Sequence, residues 1–414
     1  MSNLTQSPKI LKILVDPGTS LVKVLYNVND GVVRLLTMGP EYVSLPNQKS
    51  EFLPSGDTKR AEVNAWVQVG EDDNCHLLGQ LANSYRASTN LKKTKVELLH
   101  YKILGVLGAI AKNENLTTEY RVELALLIPF NEIDYLKRDK NWSKDLIKKV
   151  GGFRFQTSNI SFELGRIDIK PEGFGYLSYF LKNKGSTLKN SNTALIMLGY
   201  RNTSCLFFRG GSLDRSCTGT SMFGYNAMLN NMVGQVPYLN ESNILKAIDT
   251  NVEDSSSYLP EVGIKISDGE TKINFAGLAQ VHDPEKKEVE VKMLREVYSE
   301  SLAEYWTLLT DWLEQKLPFA AEVDNILFCG GSYSFLADRL EVFAKDYNAK
   351  ILEDKLIEEL PKYLLWRRSP YLTAFKKGNF KHRFADAWGF FSSFSNYDKS
   401  RVLNIETGKT REKE

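Results

Sequence analysis

The chain has 414 residues and a formal charge of +2, with 42% hydrophobic and 25% charged residues. This balance is typical of folded globular proteins, and it gives no overall charge that would attract nucleic acid or a membrane surface. At about 150 residues per domain, the length predicts two or three domains.

Cysteines and histidines are few and scattered. The four cysteines, at positions 75, 205, 217 and 329, form no Cys-x-x-Cys pair, and the four histidines show no metal-ligand spacing. This pattern favours reduced thiols in a cytoplasmic protein over a disulfide framework or a histidine metal centre. We expect no membrane insertion, because no apolar run approaches the ~20 residues that span a bilayer and the run at 10–15 is too short for a signal peptide.

Two apolar strands, Ile10–Val15 and Leu21–Tyr26, flank a turn near the start of the chain. Gly18 in this turn can adopt a conformation in which successive N–H groups converge on an anion. Asp16 is placed to hold a hydrated divalent cation, and Lys23 brings a positive charge to the same turn. Two neighbouring side chains add hydroxyl donors, Thr19 and Ser20. The combination predicts a site for a magnesium-bound polyphosphate, although this turn taken alone favours an ordinary hairpin with a solvated aspartate.

A third strand, Val32–Thr37, follows the hairpin signal Asn29-Asp30-Gly31, so the sheet is predicted to open as an antiparallel meander. The polar, turn-broken stretch at 39–90 predicts an inserted surface subdomain. The elements predicted next are a helix at Glu97–Lys112, a strand at Arg121–Pro129, a helix at Asn131–Lys149 and paired strands at Phe153–Phe155 and Ile160–Ile169.

A strand-to-helix turn follows these strands. Pro171 and the glycines Gly173 and Gly175 fix the turn, and Glu172 lies near the start of the next helix. A carboxylate at this place can orient a water for in-line attack on a terminal phosphate. The alternative is that Glu172 only complements the helix dipole.

The strand–turn–strand pattern occurs again in the second half of the chain. Thr193–Gly199 and Cys205–Phe208 are predicted strands, and the turn between them contains a glycine and hydroxyl side chains. Internal duplication is a strong indication of fold. The two hairpins are predicted to bind phosphate as a clamp between two domains. The turn residues of the second hairpin are Gly199, Tyr200, Arg201, Asn202 and Thr203.

Further elements complete the chain. A polar stretch at about 236–276 predicts a second peripheral insert, and the aromatic stripe of the long helix Glu288–Gln315 is attributed to core packing. The glycines in Cys329-Gly330-Gly331-Ser332 allow a flat ligand to approach the backbone closely. The other predicted elements are helices at Ser216–Met232, Leu336–Ala344 and Phe384–Phe390, a strand at Asp324–Phe328, and a frayed end at Lys409–Glu414.

Five of these motifs together carry a resemblance. In their order and spacing the chain resembles the ParM/StbA-type bacterial actin-like ATPases of the actin, sugar-kinase and heat-shock chaperone superfamily. The motifs are Val15–Ser20 with Lys23, Pro171–Gly173, Leu198–Thr203, Phe328–Ser332 and Ala385–Gly389.

The resemblance implies an α/β, actin-like (ribonuclease H-like duplicated) two-domain fold with a nucleotide cleft between the domains. Domain I is expected at 1–189 plus 382–414, with an insert at about 39–96. Domain II is expected at 190–381, with an insert at about 233–287. By the same resemblance, ATP or GTP binds with Mg²⁺ between the hairpins. Asp16, through water, and Lys23 attend the metal and phosphates, Glu172 positions the hydrolytic water, and the nucleoside lies against Gly330, Gly331 and Ser332.

Two positions depart from the family pattern. Met197 and Ser204 stand where the second phosphate loop of the family usually carries acidic residues. A methionine cannot coordinate magnesium through water, so we expect slow hydrolysis or a changed metal dependence. A nucleotide-binding scaffold that does not hydrolyse is the nearer alternative, and a small-molecule kinase of the same superfamily is the more distant one.

The resemblance also implies assembly. Actin-like subunits repeat head to tail and so form filaments, whose stability depends on the bound nucleotide. Such filaments serve plasmid segregation through a DNA-binding adaptor, or a cytoskeletal role, and the sequence leaves both open. We expect no direct binding to nucleic acid. The basic clusters at 91–95 and 376–383 are interpreted as solvated surface.

Overall fold

The computed structural model describes residues 9–47, 51, 53–54, 60–70, 72–85, 87, 93–116, 120–139, 141–240, 243–244, 274–351, 381–395, 403–404 and 409–410. Contacts group the chain into two compact units. The described residues of the first unit lie within 9–175 and 386–410, and those of the second within 176–351 and 381–385. The domain boundaries expected from the sequence stay a prediction.

A five-stranded sheet forms the centre of the first unit. β1, β2 and β3 form the predicted antiparallel meander, and β7 and β10 continue the sheet in parallel beyond β1. Asn29 and Asp30 both have positive φ, of 51° and 54°, as the tight hairpin turn between β2 and β3 requires. The strands are β1 (Lys9–Pro17), β2 (Val22–Val28), β3 (Arg34–Met38), β7 (Tyr120–Ile128) and β10 (Glu163–Pro171).

A smaller sheet combines most of the predicted insert with a later hairpin. Its order is β4-β6-β5-β8-β9. The predicted pairing of Phe153–Phe155 with Ile160–Ile169 is wrong beyond residue 160, because β9 ends there and β10 pairs with β7 in the large sheet. The strands are β4 (Tyr42–Pro46), β5 (Trp66–Gln68), β6 (Asn74–Leu78), β8 (Phe153–Phe155) and β9 (Ser158–Ile160).

Helix α2 contacts both sheets of the first unit and is buried along most of its length. A Cβ on Gly108 would lie 2.1 Å from the Phe155 ring, so this glycine permits close packing. The single helix predicted at Asn131–Lys149 is wrong. The chain forms two helices, because Asp139 accepts hydrogen bonds from the N–H groups of Asn141 and Trp142 and so begins a new one. The helices are α1 (Gly79–Ser84), α2 (Leu99–Glu114), α3 (Phe130–Arg138), α4 (Trp142–Val150) and α5 (Phe174–Lys189).

The sheet of the second unit repeats the strand order of the first large sheet. β11, β12 and β13 form an antiparallel meander, and β15 and β16 continue in parallel beyond β11. β14 pairs with β12. The strands are β11 (Thr193–Leu198), β12 (Thr203–Arg209), β13 (Ser212–Leu213), β14 (Gly219–Ser221), β15 (Asn325–Cys329) and β16 (Lys350–Ile351).

The helix predicted at Ser216–Met232 starts too early. β14 occupies Gly219–Ser221 in pairing with β12, and the helix begins at Tyr225. The long predicted helix forms and buries its apolar stripe in the core of the second unit, as expected. The later helices are α6 (Tyr225–Gln235), α7 (Phe275–Leu278), α8 (Pro284–Lys316), α9 (Tyr333–Asp346) and α10 (Lys381–Phe394), with a 3₁₀ turn at Ala320–Glu322.

The end of the chain contains a short strand pair. β17 (Leu403–Asn404) pairs with β18 (Lys409–Thr410), so the frayed end predicted from Lys409 is wrong for these two residues, and 411–414 lie outside the described residues. Most of the second predicted insert, and of the basic cluster at 376–383, also lies outside them. Among the residues described, no helix has both the length and the apolar character that crossing a bilayer requires.

Candidate functional site

The two predicted hairpins have equivalent geometry. The last pairs, Pro17 with Val22 and Leu198 with Thr203, close loops of the same length, 18–21 and 199–202. Each loop begins with a glycine. A Cβ on Gly18 would lie 2.3 Å from the carbonyl oxygen at position 21, and one on Gly199 would lie 2.7 Å from that at position 202. Both turns therefore require glycine for the same steric reason, which confirms the predicted duplication at the level of the hairpins.

Buried charges surround the turn of the first hairpin. Asp16, near the end of β1, is 1% exposed and lies opposite Lys23 in the β1–β2 register. The Lys23 Nζ lies 2.5 Å from the Asp16 Oδ2. Glu172 follows β10 and is 5% exposed. The burial of Asp16 excludes the interpretation of this carboxylate as merely solvated.

Lys95 joins these carboxylates. Its ammonium group forms an ion pair with Glu172 and lies 4.0 Å from the Asp16 Oδ1. The interpretation of cluster 91–95 as solvated surface is wrong for Lys95, which is 6% exposed. The sequence carried a local signal that could have located it. Thr94 and Glu97 form the reciprocal hydrogen bonds of a capping box, which marks the start of the α2 region and fixes the backbone around Lys95.

The burial of this cluster alters its proton equilibria. Burial raises the pKa of Glu172, and the charge of Lys95 partly offsets that rise. Burial alone would lower the pKa of Lys95, but the carboxylates of Glu172 and Asp16 outweigh it and raise the pKa. Burial and the nearby Lys95 charge lower the pKa of Lys102, on α2, to about 8. Lys95 therefore stays charged at neutral pH, whereas the ionisation of Glu172 depends on that charge.

Asp386, on α10, holds the backbone that follows Glu172. It belongs to the motif Ala385–Gly389, and the sequence predicts no role for it. Its carboxylate accepts hydrogen bonds of 2.7 Å from the N–H groups of both Gly173 and Gly175. Burial raises its pKa to about 7, against the opposing effect of these hydrogen bonds. A Cβ on Gly389 would lie 2.2 Å from the Gly175 carbonyl oxygen, so the glycine in this motif permits close backbone contact.

A small pocket adjoins the cluster. It reaches from the first turn, at Thr19, to Lys95 and Lys102. Lysine ammonium and threonine hydroxyl groups suit an anion, and the pocket contains three lysines and two threonines. The complete lining is Thr19, Pro40, Lys93, Thr94, Lys95, Leu98 and Lys102.

The turn of the second hairpin is held by its own unit. The carbonyl oxygens of Gly199, Tyr200 and Arg201 accept hydrogen bonds from the N–H groups of Tyr225, Asn226 and Gly224, at the start of α6, over 2.8–3.2 Å. The remaining loop carbonyl, at position 202, accepts from the N–H at position 199. Every carbonyl oxygen of this turn thus has a hydrogen-bond donor inside the same unit. The unit also buries three of the residues predicted to bind phosphate, Arg201, Asn202 and Thr203.

The structure brings the predicted glycine motif beside this second turn. Gly330 has a φ of +97°, and a Cβ there would lie 2.3 Å from the Leu198 carbonyl oxygen. Ser332 donates from its N–H to the Leu198 carbonyl oxygen and from its Oγ to that of Gly199, both over 3.1 Å. Gly330, Gly331 and Ser332 therefore form one local structure with the second turn.

The two hairpins differ in charge. Met197 pairs with Ser204 in the same register position that Asp16 and Lys23 occupy in the first hairpin. The Ser204 Oγ lies 3.0 Å from the Thr220 Oγ1. The charged pair of the first hairpin thus has an uncharged counterpart in the second.

The side chains of the site offer few direct ligands to a metal ion. Within the described part of the chain, no three Asp, Glu, His or Cys side chains lie close enough to ligate a metal directly. A single carboxylate, Asp16, fits a magnesium ion that keeps most of its water ligands and takes others from phosphate.

Comparisons with known proteins identify the fold. No protein-family model and no curated protein sequence matches the chain. A 15-stranded ParM filament from Clostridium botulinum is 15% identical, with a TM-score of 0.56 over 94% of this chain and 99% of that one. The actin-like protein Alp7A is 13% identical, with a TM-score of 0.57 over 94% and 96%. The archaeal actin homologue Ta0583 in complex with ADP is 13% identical, with a TM-score of 0.56 over 93% and 99%. The chain therefore has the actin-like α/β fold, which confirms the predicted fold class.

Proposed function

We propose that this chain binds ATP or GTP with Mg²⁺ at the turn of its first hairpin and assembles into nucleotide-regulated filaments. One observation carries the proposal, namely the buried cluster of Asp16, Lys23, Lys95 and Glu172 beside the Gly18 turn. Burying four charged groups costs free energy of desolvation, which the pairing between them offsets only in part. A cluster of this kind therefore points to a function other than stability. Solved structures with this fold include a ParM filament and an ADP complex, which supports both halves of the proposal.

Each residue of the first turn receives a role. The backbone at Gly18 and the hydroxyl groups of Thr19 and Ser20 bind phosphate oxygens, and Lys23 neutralises part of their charge. Asp16 would hold Mg²⁺ through water, and the ion would neutralise further charge on the phosphates. We also assign two other groups to nucleotide binding, namely Gly199–Thr203 and Gly330–Ser332.

Glu172 is the proposed base for hydrolysis. A water oxygen attacks the terminal phosphorus while the bond from phosphorus to the bridging oxygen breaks, and Glu172 accepts the proton of the water. Turnover is slow, because Met197 and Ser204 contribute no carboxylate from the second hairpin.

A second candidate function is a filament scaffold that binds nucleotide without hydrolysis, and the Met197–Ser204 pair favours it. Phosphate release from purified protein, measured with and without Mg²⁺, distinguishes the two. Release above the rate of a Glu172→Gln control supports the slow ATPase. A rate equal to that control favours the scaffold.

Assembly is tested by sedimentation and electron microscopy. Pelleting that requires ATP or GTP, and that differs with the diphosphate, supports nucleotide-regulated filaments. A protein that stays in the supernatant under all nucleotide conditions contradicts assembly. The expected contact is head to tail between copies of the chain. The resemblance carries three further expectations. They are a DNA-binding adaptor as partner, a role in plasmid segregation or in the cytoskeleton, and a cytoplasmic location.

A further inference from the structure

Lys95 occupies a place that connects the proposed base to the proposed phosphate pocket. Its ammonium group forms the ion pair with Glu172, which lies 77 positions away in the sequence, and lies 4.0 Å from the Asp16 Oδ1. The same side chain lines the pocket that begins at Thr19. The pocket and the Glu172 carboxylate therefore adjoin the same lysine side chain.

The backbone around Lys95 is fixed from both sides. Before it, the Thr94 N–H and hydroxyl donate to the Glu97 Oε1 over 3.0 Å each, and the Glu97 N–H donates back over 3.3 Å. After it, the Val96 N–H donates to the Glu132 Oε2 over 3.0 Å. The base of the lysine side chain is therefore held in place, while its four-carbon stem keeps rotational freedom.

We propose that Lys95 is a positioning residue that holds the Glu172 carboxylate until a terminal phosphate enters the pocket beside Thr19 and draws the Lys95 ammonium to itself. The inference rests on the proposed function. A terminal phosphate carries more negative charge than a carboxylate and offers three acceptor oxygens, so it competes effectively for the ammonium. A diphosphate lacks that phosphate and leaves the Lys95–Glu172 pair intact.

The exchange has two consequences for hydrolysis. Glu172 gains a free lone pair for the proton of the attacking water at the moment when the substrate is complete. Lys95 meanwhile neutralises negative charge on the phosphoryl group that is being transferred. The site would thereby distinguish triphosphate from diphosphate by a change in the partner of one lysine.

Three charged groups act on Glu172, and a fourth binds the backbone that follows it. Lys95 approaches from the turn before α2, Asp16 from β1 and Lys23 from β2. Asp386, on α10, binds the N–H of the next residue, Gly173. Lys95 combines a direct bond to Glu172 with a place in the pocket, so it is the group to replace.

A carboxyl ¹³C titration tests the positioning role without nucleotide. The wild type is compared with Lys95→Met, with Lys95→Arg, which keeps the charge, and with Lys93→Met, which alters an exposed lysine of the same pocket. We expect Lys95→Met to raise the pKa of Glu172 by at least about 1, because a buried carboxylate loses its cation, whereas both other variants stay near the wild type. Circular dichroism checks folding, and Lys95→Gln replaces the methionine variant if that variant fails to fold. An unchanged Glu172 titration in the charge-removing variant would overturn the positioning role.

Calorimetry tests the exchange. Binding of ADP and of a non-hydrolysable ATP analogue is measured in two buffers of different ionisation enthalpy, which gives the protons taken up on binding. We expect the wild type to take up a larger fraction of a proton with the analogue than with ADP, because the loss of its ammonium partner protonates part of the Glu172 population while the ionised remainder serves as the base. We expect Lys95→Met to lose this difference. If the difference in proton uptake between the analogue and ADP persists in Lys95→Met, the exchange is refuted. The exchange is also refuted if the wild type binds both nucleotides and shows no such difference. Neither result refutes the proposed function. Failure of the wild type to bind either nucleotide refutes the proposed function itself.

Discussion

Replacing Asp386 with asparagine tests the account of the buried carboxylates through stability. Burial raises the pKa of Asp386 from 3.8 to about 7, so the folded protein holds this proton at a pH where the unfolded chain has lost it. The stability contributed by the group is therefore fully present below pH 3.8 and is lost as the pH rises through about 7. A difference of about 3 in pKa corresponds to about 4 kcal/mol of unfolding free energy.

The asparagine changes two contributions with opposite effects. Its single carbonyl oxygen can accept from one of the N–H groups of Gly173 and Gly175, so one hydrogen bond is lost, at a cost of about 1–2 kcal/mol at every pH. It also removes the ionisable group, so the variant does not undergo the decrease of about 4 kcal/mol in unfolding free energy that the wild type shows as the pH rises. By pH 5 the wild type has already lost about 1.6 kcal/mol of this contribution, because the unfolded carboxyl ionises from pH 3.8 upwards. We therefore expect Asp386→Asn to be less stable than the wild type at pH 4, about equally stable at pH 5, and more stable by about 2 kcal/mol at pH 8–9.

Urea unfolding followed by circular dichroism at pH 4, 5, 6, 7, 8 and 9 measures this crossing. The comparison uses the difference between variant and wild type, because other groups titrate equally in both. Asp168→Asn provides the control, since Asp168 is a half-buried carboxylate on β10 that pairs with surface cations. A difference that stays constant with pH for Asp386→Asn would contradict the reasoning on burial.

Three further variants test other parts of the structure. Gly18→Ala places a Cβ 2.3 Å from the Leu21 carbonyl oxygen, so we expect a loss of about 1–3 kcal/mol in thermal unfolding and weaker nucleotide binding, whereas Gly152→Ala, with no atom within 4 Å, serves as the neutral control. Lys102→Met removes a lysine whose folded pKa of about 8 lies below its unfolded value of 10.5. The free energy of unfolding of the wild type therefore rises by up to about 3 kcal/mol between pH 8 and 10.5. We expect this rise to be absent from the variant when unfolding is measured across that pH range. Met197→Asp restores a carboxylate to the second hairpin, and phosphate release about tenfold faster or more is expected; an unchanged rate would count against the explanation of slow turnover.

Local sequence signals predicted the elements that depend on local chemistry. The Asn29-Asp30 turn has the positive φ angles that its residue types favour, and the two glycine turns lack room for a Cβ at Gly18 and Gly199. The helix predicted at Asn131–Lys149 failed because apolar spacing continues across the break, while Asp139 ends α3 and accepts hydrogen bonds from the N–H groups of Asn141 and Trp142 before α4 begins. Local rules therefore predicted the hairpins, and the fold class followed from the resemblance of five motifs, but local rules did not separate two adjacent helices of similar composition.

Long-range contacts account for what the sequence could not reveal about the site. Asp386 reaches the N–H of Gly173 across 213 positions, and Lys95 reaches Glu172 across 77. Neither pair follows a periodic spacing, and a lysine in a basic run is usually solvated. The partners of these residues follow from the fold as a whole, so sequence reasoning identified Glu172 but missed the two groups that hold it.

The duplicated hairpins allow the proposed metal binding to be assigned to the first of them, while both turns stay assigned to nucleotide binding. The two loops have the same length and the same kind of glycine contact, so the glycines alone do not distinguish the roles of the two turns. The charges do. A buried carboxylate such as Asp16 destabilises a fold by several kcal/mol unless cations compensate it, and the first unit supplies both Lys23 and Lys95. The Met197–Ser204 pair needs no such compensation. Since an uncharged pair evidently suffices to build this hairpin, the charges of the first hairpin are not needed for folding, and we assign them to the ligand.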